Sequence, residues 1–76
     1  MKTYFNRPDT NVYIMIDDEQ NKVIFLNNAS YTKNLIVITE PTAYSNFVLE
    51  STDVTKWITS NETDFNNVKD VVISSI

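Results

Sequence analysis

The chain has 76 residues, a formal charge of −4, and no cysteine, histidine or glycine. A chain of this size is expected to form one domain with one core. Without cysteine, neither disulfides nor a thiolate metal site can supplement that core, so packing or association must stabilise it. The six basic residues, Lys2, Arg7, Lys22, Lys33, Lys56 and Lys69, are scattered, which leaves no patch to neutralise phosphates and argues against direct nucleic-acid binding.

Lys2 to Phe5 alternates polar and aromatic residues and predicts a short edge strand. Pro8 ends it, because proline has no N–H to give to a ladder. The opening MKTYFNRP lacks the apolar core of a secretory signal, and no apolar run approaches the ~18 residues of a membrane span. A cytoplasmic protein, or one inside a virion assembled in the cytoplasm, is therefore expected.

Asn11 to Asn27, NVYIMIDDEQNKVIFLN, is two apolar runs around an acidic turn and reads as a β-hairpin. A four-residue loop, Asp18 to Asn21, opposes Asp17 with Lys22, Ile16 with Val23, Met15 with Ile24, Ile14 with Phe25, and Tyr13 with Leu26. Alternation then gives one face to Val12, Ile14, Ile16, Val23 and Phe25, and the other to Tyr13, Met15, Ile24 and Leu26. With no glycine, positive φ falls to asparagine, and Asn21 is the expected left-handed turn residue. Glycine-dependent phosphate loops are excluded. The acidic turn also fails as a calcium loop, since Lys22 stands where the sharp turn needs glycine and Asn28 where a bidentate glutamate is required.

Asn27 to Lys33 is a turn-rich connection. Asn34 to Thr39, NLIVIT, predicts a central strand flanked by Lys33 and by Glu40-Pro41. Pro41 to Ser45 reads as a loop and Asn46 to Ser51, NFVLES, as a further strand. Residues 52–58 fit a helix or a strand equally. Thr59-Ser60-Asn61-Glu62 has the form of a capping box, and Phe65, Val68, Val72 and Ile76, with Val71, recur at the spacing of an amphipathic helix over Glu62 to Ile76.

These elements predict an α+β fold: a four- or five-stranded, mostly antiparallel sheet with one C-terminal amphipathic helix packed on one face. The helix is expected on the face of Val12, Ile14, Ile16, Val23 and Phe25. The face of Tyr13, Met15, Ile24 and Leu26 then needs cover from loops carrying Tyr31, Tyr44 and Trp57, or from another molecule.

Without histidine or cysteine, the commonest general base, the thiol nucleophile and the usual zinc ligands are missing, so neither enzyme nor cofactor chemistry is expected. Only a carboxylate pair among Glu40, Glu50 and Asp53 remains formally open. The expected function is that of a non-enzymatic structural or interaction protein in an oligomer or larger assembly. Its partner, a protein or a second copy, would bind Tyr13, Met15, Ile24 and Leu26. The richness in Asn, Ile, Thr and Lys resembles AT-rich coding and points toward a bacteriophage virion accessory or capsid-decorating subunit. The alternative is a small acidic inhibitor or nucleic-acid mimic, which requires one acidic surface joining Asp17, Asp18 and Glu19 to Glu50 and Asp53.

Overall fold

Strands β1 (Lys2–Arg7), β2 (Val12–Asp17), β3 (Lys22–Ala29) and β4 (Thr32–Ile38) form an antiparallel meander. The computed structural model, which describes residues 1–76, continues with helix α1 (Pro41–Glu50), the two-residue strand β5 (Ile58–Thr59) and helix α2 (Glu62–Ser75). β5 pairs with Phe5 and Asn6 of β1, so the sheet runs β4-β3-β2-β1-β5.

The hairpin register is the expected one, from Asp17 opposite Lys22 to Tyr13 opposite Leu26. Its turn ends on Asn21 at φ 51°, and the preceding turn, Pro8 to Asn11, likewise ends on a left-handed residue, Asn11 at φ 56°. The Asp17 carboxylate accepts the N–H groups of Glu19 (3.0 Å) and Gln20 (3.3 Å), a side-chain mimic of a backbone turn. The third turn, Ser30-Tyr31, keeps negative φ at both residues, unlike the primed turns that usually join strands through two residues.

Two expected strands are corrected. Asn34 to Ile38 lies in β4, which Thr39 follows, and β4 is an edge strand and not a central one. It would be central only if Asn46 to Ser51 paired beside it, and that segment is helical. The predicted loop and strand over residues 41–51 are α1 and its cap. Pro41 takes the first helical turn, where its missing N–H costs nothing. The Glu40 carboxylate accepts the N–H groups of Thr42 (3.1 Å) and Ala43 (2.8 Å). Tyr44 and Phe47, three residues apart, pack toward the sheet, while Val48 and Leu49 stay exposed and mask the helical period in the sequence.

Residues 52–57 are turns, with Trp57 buried. α2 starts at Glu62 as expected, but its cap is corrected: it is Asn61, whose side chain accepts the Asp64 N–H (2.8 Å), while Thr59 is engaged in β5. Phe65, Val68 and Val72 turn inward, whereas Val71 and Ile76 are exposed.

The largest correction concerns which face α2 covers. Phe65 and Val68 pack with Met15, Leu26, Tyr4, Tyr13, Ile24 and Leu35, on the second face. The first face, Val12, Ile14, Ile16, Val23 and Phe25 with Phe5 and Ile38, is covered by Trp57, Tyr44 and Phe47. Chain order gives the reason. α1 leaves β4 at once and occupies the first face, so α2, arriving from β5 at the opposite edge, takes the face left over. Of the expected loop cover, Tyr44 and Trp57 do cover the sheet, but on the first face and with Tyr44 in a helix, and Tyr31 projects into solvent.

Replacing Asn21 by valine should cost about 1–2 kcal/mol, the steric cost of the left-handed region, whereas Asn21→Gly should fold at least as stably as the parent; urea midpoints compare the three. Phe65→Ala should cost ~3–5 kcal/mol, a large share of the ~4–11 kcal/mol that a chain of this length usually has, while Ile76→Ala should leave the midpoint unchanged.

Candidate functional site: the open edge of the sheet

Of the expected interface, Met15 and Leu26 are buried beneath α2, and Tyr13 and Ile24 are half-buried in the same cluster. Met15 and Leu26 therefore offer no open surface in the single chain, and Tyr13 and Ile24 only part of theirs. The cover that the second face needs comes from α2, because α1, unseen in the sequence, occupies the first.

The acidic residues are separated as well. Asp17 is buried and spends its carboxylate on the turn. Asp18 and Glu19 accept the Met1 ammonium. Glu50 instead meets Arg7 (3.5 Å), which also binds Asp9 (3.1 Å), and Asp53 accepts the Thr55 N–H (3.0 Å). Met1 and Arg7 stand at opposite ends of β1, roughly 20 Å apart at the rise of a strand. Asp17, Asp18 and Glu19 thus lie at one end of the sheet and Glu50 at the other, near Arg7 with Asp53 following in the next turn. The continuous acidic surface required for an inhibitor is not formed. Glu40, the remaining member of the formal carboxylate set, is held on the N-terminus of α1.

What the fold leaves open is the outer edge of β4. Residues of an antiparallel strand alternate between pointing both main-chain groups at a neighbour and pointing both away. About half of the seven residues Thr32–Ile38 thus direct N–H and C=O groups outward. Ile36 and Val37, on opposite faces, are 44% and 52% exposed. The opposite edge is guarded by several of the usual devices. β5 covers part of β1, and the Ser60 N–H adds a bond to the Tyr4 carbonyl (2.8 Å). Arg7 lies over the Trp57 ring at 6.0 Å, and Pro8 follows. β4 carries Lys33 near its start and is followed by Glu40-Pro41, but no strand pairs along its outer side. The sequence signal for this edge was the joint Glu40-Pro41, which ends the meander, since the last strand of a meander is an edge unless another strand joins it.

Other open features are smaller. Val48 and Leu49 of α1, Val54 in the loop after it and Ile58 of β5 are exposed, as surface apolar residues commonly are. A shallow depression is lined by Pro8, Asp9, Thr55, Lys56 and Ile58. Trp57 Nε1 and the side-chain oxygens of Asn6 and Asn28 are buried without a partner in the chain. No helix is long and apolar enough to cross a membrane. The chain matches no family model, no curated protein and no solved structure.

The junction after β4 should be sensitive to acid. The N–H groups of Ala43 and then Thr42 hold the Glu40 carboxyl below its ordinary value of 4.5. A group depressed in the folded state stabilises above its unfolded pKa, and that stability is lost as the pH falls through the folded value. Asp53 acts in the same direction, held below 3.8 by the Thr55 hydroxyl and N–H. Glu40→Gln should therefore lower the urea midpoint at pH 7, with the gap to the parent closing as the pH drops below 4.5. A gap that stays constant with pH would show that the charge of Glu40 is irrelevant.

Proposed function

We propose that the chain is a non-enzymatic interaction module that acts within an oligomer or a larger assembly through its sheet edge. A virion accessory subunit is the instance that its size and composition suit. The observation supporting this reading is the contrast between the two edges. One is partly covered by β5 and carries Arg7 and the following Pro8, whereas β4 has no strand beside its outer side and exposes Ile36 and Val37. Exposed apolar edge strands are templates for strand addition, and proteins that do not use them blunt them. The absence of histidine and cysteine from the sequence favours binding over catalysis.

Gel filtration of the protein as it occurs in its source, followed by immunodetection, tests the reading. Elution far above the mass of one chain is expected. Elution as a free single chain would contradict it.

A further inference from the structure

Building on the interaction reading above, we infer that the occupant of the β4 edge is a second copy of this chain, paired antiparallel about Ile36 to give one continuous ten-stranded sheet. Among protein segments, an extended strand is the one whose main chain matches a row of outward N–H and C=O groups, and β4 is itself such a strand with a compatible sequence. Joining β4 to the β1 edge of a neighbour would instead make an open fibre, and it meets β5, Arg7 and Pro8. A two-fold axis between the two β4 strands closes the contact and leaves outside the β1 edges, which β5 covers at Phe5 and Asn6.

Symmetry and charge together select the register. An axis perpendicular to the sheet requires one residue to oppose its own copy, because directly opposed side chains share a face. Centring on Leu35 would set Lys33 against Val37 of the second copy and bury an ammonium beside apolar side chains. Centring on Val37 would draw in Glu40, whose carboxylate is already committed to α1. Centring on Ile36 avoids both. Ile36 meets its copy on the first face, Leu35 meets Val37 of the copy on the second, and Lys33 faces Thr39. The two lysines then lie roughly 20 Å apart along the strands, so no like charges meet. The two exposed apolar side chains of β4, Ile36 and Val37, become the centre of the contact.

The chain has no cysteine, which makes the register directly testable. Opposed residues in an antiparallel pair have Cα atoms about 4.5–5.5 Å apart, within the range a disulfide spans. Under mild oxidation Ile36→Cys should form a covalent dimer about tenfold faster than Leu49→Cys, which sits on the exposed side of α1. Sedimentation of the cysteine-free parent from micromolar to millimolar concentration should show a monomer–dimer equilibrium. Ile36→Lys should shift that equilibrium about tenfold toward monomer with an unchanged far-ultraviolet spectrum. A parent that stays monomeric throughout, or equal cross-linking at Ile36→Cys and Leu49→Cys, overturns the inference. If the source protein nevertheless elutes as a large complex, the edge serves a different strand and the interaction reading stands. If both the purified and the source protein are single chains, both fall.

Discussion

Val23 and Leu26 are three residues apart on one strand, so their side chains point to opposite faces of the sheet, and both are completely inaccessible to solvent. Ile14 and Met15 on β2 repeat the arrangement. A sheet whose central strands are apolar on both sides must be covered twice, and each fully buried aliphatic side chain contributes ~1.5–3 kcal/mol. Against a total of ~4–11 kcal/mol for a chain of this length, neither cover is dispensable. Both helices are therefore structural necessities, which is why α1 starts within three residues of β4 and why Trp57 is drawn from its loop into the first core.

The same two-sidedness weakens the usual determinant of register. A one-residue slip moves every side chain to the other face, and where one face is polar that is prohibitive. Here a slipped hairpin would still bury apolar residues on both sides. Register has to come from the turns, and the turns carry it. Asn11 and Asn21 take the left-handed conformation that glycine would otherwise supply, and the Asp17 carboxylate ties down the two N–H groups of its turn. In a chain without glycine, these side chains take over the role of turn geometry.

That division explains what could be read from the sequence. The hairpin pairing and Asn21 were legible because they depend on local turn chemistry and period-two alternation, both visible in a few residues. The C-terminal helix was legible from the spacing of Phe65, Val68 and Val72. Helix α1 was not, because Glu40 is outside the set of preferred N-caps and because Val48 and Leu49, exposed in the fold, fill in the polar side of the helical pattern. From that one omission followed the misassigned face of α2, the placement of β4 inside the sheet, and the choice of Tyr13, Met15, Ile24 and Leu26 as the open surface. The open surface itself could not be read from hydropathy, since what distinguishes β4 is unpaired main chain, and main chain is the same in every residue.

A strand edge exposed to water is not costly to a monomer, because solvent satisfies its polar groups; what matters is the net gain on pairing. About six new hydrogen bonds at ~0.5–1.5 kcal/mol each, with ~0.7–1.5 kcal/mol for each newly covered half of an aliphatic side chain, roughly balance an association cost of ~4–15 kcal/mol. Pairing through β4 alone is thus weak and depends on concentration. Such an edge is poorly suited to holding a free dimer in dilute solution and well suited to copies already brought close by a shared scaffold, where effective concentrations reach the millimolar range. The weakness of the contact and its use inside an assembly are two sides of one constraint: a chain that has spent both helices on the faces of its sheet has only two residues of β5 left for the edges, and it places them on β1.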